Sequence, residues 1–277
     1  MPTVGQKHAL LMLALLPGAL AASGQQPVPY VTIEGGEYRS VIKVDSGQSG
    51  ESDAPVPVAG FSMMTQPVTN ADFLAFVQAN PQWQRGSAPS VFVDGEYLSH
   101  WIGPTQLAEG QAQQPVTRIS WFAANAYCAA QDARLPSWSE WEYAAAADET
   151  RRDARDDPAW RERILAWYSR PSNQPLPVVA NGEPNAWGVR DLHGLVWEWV
   201  DDYNALFIAE DSRKQGDPEL LKFCGAGAIS MNDRENYAVL MRIAMLSSMN
   251  AAGTTRNLGF RCARDGAGDD GSKETTK

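Results

Sequence analysis

The sequence predicts a single α+β domain in which short helices and strands are joined by long loops. Its 277 residues are 44% hydrophobic, which is enough for one sizeable core. Helical periodicity and capping signals are confined to the middle of the chain, with short β-like runs before them and short extended segments after residue 185. The later segments are too irregular for a parallel α/β sheet, so an α+β fold with functional loops fits best.

Residues 1–21 have the pattern of an export signal. Lys7 and His8 precede the apolar run 9–16, and the small-x-small pattern Ala19-Leu20-Ala21 follows. The apolar run is too short to span a bilayer. We therefore expect cleavage after Ala21, no membrane span, and a mature protein exported to the periplasm.

The elements of the mature chain have local signals, and we expect one domain over residues 22–264. The first signals are β-like runs at 28–33 and 38–44. Helix starts follow at Thr69 with Asp72, at Ser120, at Ser137 with Glu140, and at Pro158 for a charged helix ending near Tyr168. Residues 265–277 contain no apolar side chain larger than alanine, which predicts a disordered tail.

The charge balance excludes one class of partner. The chain carries 23 basic and 33 acidic residues, a net charge of −10, and has no Lys/Arg cluster of any length. Binding to phosphates requires a basic face. Nucleic acid is therefore not an expected partner.

The chain has three cysteines, Cys128, Cys224 and Cys262. An oxidising compartment favours one disulfide and leaves one thiol, and sequence alone allows three pairings. No Cys-x-x-Cys occurs and the mature chain has only two histidines, so metal binding by thiols is poorly supported. The unpaired cysteine is either buried and inert or a reactive thiol.

The segment from Asp191 to Trp199 has oxygen donors spaced to surround a hard cation. Asp191 and Glu198 supply carboxylates, and a loop bent at Gly194 can turn the carbonyls of Gly194 and Val196 to the same point. Calcium binds six to eight such oxygens. The alternative is a strand whose Leu, Val and Trp side chains fill a core while the acids face water.

Seven motifs together resemble the formylglycine-generating enzyme, or sulfatase-modifying factor, family, and the resemblance covers residues 28 to 264. The motifs occur in the family's order: Gln66-Pro-Val-Thr-Asn-Ala-Asp-Phe73, Gln114-Pro-Val-Thr-Arg-Ile-Ser-Trp121, Ala126-Tyr-Cys128, Arg134-Leu-Pro136 with Glu140-Trp-Glu-Tyr143, Asn185-Ala-Trp-Gly188, Gly194-Leu-Val-Trp-Glu-Trp199 and Asn257-Leu-Gly-Phe-Arg-Cys262. The resemblance implies a variant C-type-lectin-like fold with little regular secondary structure.

The resemblance also implies two structural sites. The family's calcium loop corresponds to Asp191, Gly194, Val196 and Glu198, with Asp191 where the family often has asparagine. The added negative charge should not weaken a calcium site. A family disulfide corresponds to the Cys128 and Cys262 pair.

This sequence differs from the family at the copper centre. Formylglycine-generating enzymes bind copper through two cysteines placed just before a basic and aromatic strand. If 237–244 corresponds to that strand, Asp233 and Ala238 occupy the cysteine positions. Cu(I) prefers sulfur ligands, which these residues cannot supply. We therefore expect no copper and no sulfatase activation by the copper mechanism.

A dense set of polar residues remains near the missing cysteines. In the functional interpretation Asp233 or Glu235 transfers protons, Tyr237 and Arg242 orient a substrate, and Cys224 is a further candidate. In the structural interpretation these residues form a helix cap and a solvated turn, with Arg242 paired to a carboxylate.

Two function classes follow. The first is a periplasmic maturation oxidoreductase acting on a peptide-derived small molecule or an exported protein, as in the family branch that oxidises the pyoverdine chromophore during siderophore biosynthesis. No motif identifies its redox cofactor. The second is a non-catalytic accessory or binding module, as in the branch encoded beside copper nitrite reductase or in lectin-like folds that hold a peptide or glycan.

Overall fold

A three-stranded antiparallel sheet joins the two ends of the domain. The computed structural model describes residues 28–39, 44–45, 51–52, 55–169, 174–204 and 237–266. Strand β6 (Phe61–Met64) lies in the centre of this sheet, between β1 (Tyr30–Ile33) and β9 (Ala263–Asp265). Ile33 pairs with Phe61 and Met63 pairs with Ala263, so chain segments about 200 residues apart share one sheet.

The remaining strands form two-stranded ribbons. Strand β2 (Gly36–Tyr38) pairs with β5 (Val56–Val58), and β3 (Val44–Asp45) pairs with β4 (Glu51–Ser52). Strand β7 (Trp197–Glu198) pairs in parallel with β8 (Leu258–Gly259).

Two sequence-based boundaries need correction. The run predicted at 38–44 is not one strand, because Tyr38 ends β2 and Val44 begins β3, and each pairs with a different partner. The disordered tail predicted for residues 265–277 begins too early. Asp265 lies in β9, and the amide of Gly266 donates to the Gly60 carbonyl (3.1 Å). The rest of the tail, like residues 1–27, lies outside the described residues.

The four helices predicted in the middle of the chain are confirmed. They are α1 (Asn70–Ala79), α2 (Trp121–Ala129), α3 (Trp138–Ala145) and α4 (Pro158–Tyr168), with a short 3-10 turn at Pro81–Trp83. Thr69 and Ser137 each form a capping box, with Asp72 and Glu140 respectively. Ser120 accepts from the amide of Ala123, so each of these side chains satisfies a helical N–H that would otherwise lack an acceptor.

The segment aligned with a family strand is instead a helix, α5 (Tyr237–Ser247). Arg242, Ile243 and Leu246 are buried in this helix, and Val239 packs against the core. These four positions follow the i, i+3, i+4, i+7 spacing of one helical face. Because two Ala, two Leu, two Met and Arg242 make up most of the segment, its intrinsic preference also favours a helix over a strand.

One contiguous core connects these elements. Its aromatic centre includes Phe73, Tyr127 and Phe260, with the Phe73 and Phe260 rings 6.1 Å apart and the Tyr127 and Phe260 rings 5.2 Å apart. Beside it, a disulfide joins Cys128 in α2 to Cys262, with their Cα atoms 5.5 Å apart. This is the pair that the family resemblance implies. Within the described ranges, no helix is long and apolar enough to cross a membrane.

Candidate functional site

The parallel pairing of β7 and β8 positions the Trp-Glu-Trp motif. The amide of Trp197 donates to the Asn257 carbonyl (2.8 Å), and the amide of Trp199 donates to the Gly259 carbonyl (3.0 Å). Trp197 is half-buried, whereas the two residues after it are fully buried. A Cβ atom at Gly259 would lie 2.6 Å from the Val116 carbonyl oxygen, so only glycine allows the chain to approach this closely.

Glu198 forms a buried ion pair with Arg261. The Arg261 Nε and Nη2 atoms donate to the two carboxylate oxygens at 2.8 Å each, and both side chains are 0% exposed. Trp141 Nε1 also donates to Oε2 of Glu198 (2.9 Å). The Glu198 carboxylate therefore holds strand β7 to the Gly-Phe-Arg-Cys motif through Arg261 and to α3 through Trp141.

Arg242 lies in the core beneath this pair. Its Nη2 donates to the main-chain carbonyl of Glu198 (2.8 Å), and its Cζ lies 3.6 Å from the centroid of the Trp141 ring. Burial lowers the pKa of Arg242 to about 10, so the side chain stays cationic at neutral pH. Within the described residues its Nε has no hydrogen-bond partner. This environment stabilises the Trp-Glu-Trp strand and keeps the guanidinium away from solvent.

The two carboxylates predicted as calcium ligands have different surroundings. Both carboxylate oxygens of Glu198 accept from Arg261, and Oε2 accepts a second hydrogen bond from Trp141, so Oε1 is the oxygen with fewer donors. Asp191 is in the left-handed region (φ 60°) and accepts from the amide of Ala180 through Oδ2, while Oδ1 accepts no hydrogen bond within the described part of the chain. Burial raises the pKa of Asp191, which a nearby cation would offset.

This donor set fits calcium only with main-chain help. No group of three or more His, Cys, Asp and Glu side chains within the described ranges could hold a metal. One oxygen from Asp191, one from Glu198 and the carbonyls of Gly194 and Val196 would supply four of the six to eight oxygens that calcium takes, and water would have to supply the rest. Calcium therefore stays a prediction.

A surface cleft runs beside the Trp-Glu-Trp strand. It consists of two hollows of about 210 and 230 Å³ that share the wall Gln174, Pro175, Leu176 and Asn257. The first hollow is lined by Trp167, Tyr168 and Trp197, and the second by Asn70, His100, Thr117, Arg118 and Arg256. We call these the aromatic end and the basic end of the cleft.

Helix α4 and the Gly194 loop build the aromatic end. The Tyr168 and Trp197 rings stack with centroids 5.0 Å apart. Gly194 has φ +86°, and a Cβ atom there would lie 2.7 Å from the Trp167 ring. Glycine is therefore required both for the backbone conformation and for the contact with Trp167.

His193 lies behind the aromatic end of the cleft and contacts Tyr168. Its Nε2 donates to the Ala145 carbonyl (2.8 Å), and its Nδ1 lies 3.4 Å from the Tyr168 hydroxyl. Burial lowers the pKa of His193 to about 4 and raises the pKa of Tyr168 to about 12. Both groups are therefore neutral at pH 7, and the phenol acts as a hydrogen-bond group rather than a base.

At the basic end, His100 is also neutral. Asn70 Oδ1 accepts from Trp101 Nε1 (2.8 Å) and lies 3.1 Å from His100 Nε2, which places the imidazole proton on Nε2. Burial, with Arg118 and Arg85 nearby, lowers the pKa of His100 to about 4. Its Nδ1 is buried and has no partner within the described residues.

Of the predicted catalytic residues, only the side chain of Arg242 lies within the described residues. Cys224, Asp233 and Glu235 lie outside the described residues, as does the side chain of Tyr237 at the start of α5. Arg242 is a core residue that does not line the cleft. The second position aligned with a copper-binding cysteine, Ala238, lines a small hollow with Trp141, Trp160 and His193.

Most residues that line the cleft carry no functional signal in the sequence. Asn257 is the first residue of a family motif, and Arg256 precedes it directly. Trp167 and Tyr168 end the charged helix predicted from Pro158. No spacing in the sequence relates these positions to His100, so only the fold could have assembled them.

The loop-rich α+β fold, the buried Glu198–Arg261 lock and the cleft beside it define a formylglycine-generating-enzyme-like domain. The family model described as Sulfatase-modifying factor enzyme 1-like domain matches residues 18–266, and the chain belongs to this family.

Relatives with and without reported activity match the chain about equally well. The formylglycine-generating enzyme of Streptomyces coelicolor is 28% identical, over 90% of this chain and 95% of its own length. The inactive C-alpha-formylglycine-generating enzyme 2 of Mus musculus is 27% identical, over 92% of this chain and 91% of its own.

Two solved structures are also similar. PvdO from Pseudomonas aeruginosa has 17% identity and a TM-score of 0.45, covering 85% of this chain and 94% of that one. CarF also has 17% identity and a TM-score of 0.45, covering 86% of this chain and 98% of that one.

Proposed function

We propose that this chain is an exported maturation oxidoreductase that acts on a peptide-derived substrate bound in the cleft. The observation that carries the proposal is the cleft itself, which places the stacked Tyr168 and Trp197 rings next to Asn257. Two adjoining hollows of this size suit a small molecule or a short peptide segment better than a single ion. Aromatic walls supply contact area, and amide and guanidinium groups supply orientation.

The proposed reaction is a two-electron dehydrogenation with dioxygen as the oxidant. Two hydrogens leave the substrate, a new double bond forms in it, and dioxygen accepts the two electrons and two protons as hydrogen peroxide. Copper is not part of this proposal, because Asp233 and Ala238 supply no thiolate pair. Calcium, if bound at Asp191 and Glu198, acts as a structural ion that fixes the β7 loop.

An oxygen electrode tests this proposal directly. The purified mature protein, beginning at Ala22, is mixed with the dihydro precursor of a pyoverdine-type chromophore, and oxygen uptake is followed together with the visible absorbance of the product. We expect uptake and product in equal amounts, loss of both in Trp197→Ala, and no copper in metal analysis. Stoichiometric copper, or a rate equal to that of buffer, would overturn the proposal.

A second candidate function is a binding module without chemistry. The cleft walls within the described residues carry amides, guanidiniums, a neutral histidine and a neutral phenol, and no carboxylate or thiol. Such walls can bind a substrate, but they offer no evident group for general acid or base catalysis. The relative from Mus musculus is itself named inactive. Binding of the precursor without oxygen uptake, and recovery of the precursor unchanged, would favour this function.

The exported location is tested separately. We propose periplasmic location from the signal pattern in residues 1–21. Mass spectrometry of the protein from a periplasmic extract should give a chain starting at Ala22. Recovery of the full chain from the cytoplasm alone would contradict this location.

A further inference from the structure

The charge of the cleft differs from the charge of the molecule. The chain has 33 acidic and 23 basic residues. The described residues that line the two hollows nevertheless include two arginines, Arg118 and Arg256, and no Asp or Glu. An anion that is repelled by most of the surface would be accepted here, because the local field at a concave site dominates at short range.

The two arginines are not equivalent. Arg118 forms a salt bridge with Glu96, so its charge is already balanced. Arg256 has no carboxylate partner within the described residues and its side chain is exposed. Of the two arginines among the described cleft residues, Arg256 is therefore the one available to a ligand, and its planar guanidinium suits a carboxylate bound through two hydrogen bonds.

The main chain around Arg256 is held in place. The amide of Arg118 donates to the Thr255 carbonyl (2.9 Å), and Thr254 is bonded to Asp94 through both its amide and its hydroxyl (2.8 Å each). The Thr255 hydroxyl donates to Asn257 Oδ1 (3.0 Å). Arg256 thus projects from a fixed backbone beside the shared wall of the cleft, which reduces the ordering cost of binding.

The other end of the same cleft favours a ring. Trp167, Tyr168 and Trp197 line the aromatic end, and the shared wall joins it to the hollow that contains Arg256. We propose that the cleft selects ligands that carry an aromatic ring and a carboxylate, with the ring at Trp167 and Trp197 and the carboxylate on Arg256. This inference rests on the proposed function, because it names the class of substrate for the same cleft.

A matched pair of probes tests it. N-acetyl-L-tryptophan carries a ring and a carboxylate, and N-acetyl-L-tryptophanamide differs from it only by a neutral amide. Binding of each to the mature protein is measured by isothermal titration calorimetry at low salt. We expect the carboxylate to bind about tenfold more tightly, the effect of one charge-assisted hydrogen-bonded pair, and the ratio to fall as salt is added.

Variants identify the group responsible. Arg256→Gln should bring the two affinities together, whereas Arg152→Gln, which changes an arginine with 58% side-chain exposure outside the cleft, should leave the ratio intact. Equal affinities in the wild type, no binding of either probe at millimolar concentration, or an unchanged ratio in Arg256→Gln would each overturn the inference. A tenfold ratio without oxygen uptake would leave the inference standing and remove the oxidoreductase proposal, so the two failures are distinguishable.

Discussion

The guanidinium of Arg242 lies 3.6 Å from the centre of the Trp141 ring while donating to the main-chain carbonyl of Glu198. One side chain therefore connects α5 to α3 and to the Trp-Glu-Trp strand. Trp141 in turn donates to the Glu198 carboxylate, so Arg242, Trp141 and Glu198 each contact the other two.

Replacing Arg242 by leucine should lower the free energy of unfolding by about 2–4 kcal/mol, because a desolvated cation–π contact and a buried hydrogen bond are lost together. Urea denaturation measures this loss. The control is Arg163→Leu, whose ion pair with Glu149 is 43% and 45% exposed and should contribute less than about 1 kcal/mol. Equal losses in the two variants would contradict the structural role, and unchanged stability with lost turnover would restore the substrate-orienting role.

Gly194 and Gly86 form a matched pair, since both have φ near +85° but only Gly194 contacts a side chain. Alanine at Gly86 should cost about 1 kcal/mol for the left-handed backbone alone. Alanine at Gly194 should cost about 1–3 kcal/mol more, because the added Cβ would overlap the Trp167 ring. Thermal unfolding compares the two variants. If they are equally stable, Trp167 does not depend on Gly194 for its position.

Calcium should raise the thermal midpoint of the wild-type protein by several degrees over the value in chelator, since a ligand that binds only the folded state stabilises it by mass action. Asp191→Ala should remove this response. The variant also loses the bond to the Ala180 amide, so the relevant quantity is the calcium-dependent difference and not the midpoint itself. An identical midpoint with calcium and with chelator in the wild type would exclude the site.

His100 should make the protein less stable in mild acid. Its pKa is about 4 in the folded chain against 6.5 for a free histidine, so the unfolded chain binds more protons between these pH values. The contribution is complete above pH 6.5 and is lost as the pH falls towards about 4, at most about 3 kcal/mol. Urea denaturation across this range should give a shallower pH dependence for His100→Gln than for the wild type. Parallel curves would contradict the assignment.

Thiol titration under denaturing conditions should find one free thiol per chain before reduction and three afterwards, given the three cysteines and the Cys128–Cys262 bond. Replacing both bonded cysteines by alanine should destabilise the protein by about 3–5 kcal/mol in the chain-entropy model, because the closed loop is long. Cys224→Ala is the control and should change stability little if that thiol is inert. Three free thiols without reduction would disprove the bond in solution.

Local signals allowed the helices to be predicted well. Capping boxes at Thr69 and Ser137 act over three residues, so the sequence contains the whole interaction. The helix at 237–247 differs from the strand that the family resemblance implies, but the spacing of Val239, Arg242, Ile243 and Leu246 is that of one helical face.

The cleft could not be predicted because its residues meet only through long-range pairing. Trp197 and Asn257 become neighbours when β7 pairs with β8, and Arg118 lies beside Thr255 through one main-chain bond. The motifs did indicate that Glu198 is important, but its partner Arg261 is 63 residues away and no local pattern relates the two. Burial of both charges, rather than their spacing, is what makes them a pair.

The bond between Cys128 and Cys262 spans 134 residues of sequence, including α3, α4, the Trp-Glu-Trp strand and α5. A protease that cuts the chain once anywhere between these cysteines would leave two fragments still covalently joined. Such a nicked molecule would run as one species without reductant and as two with it. The domain can therefore acquire a break in its backbone and still keep both halves of its cleft tethered together.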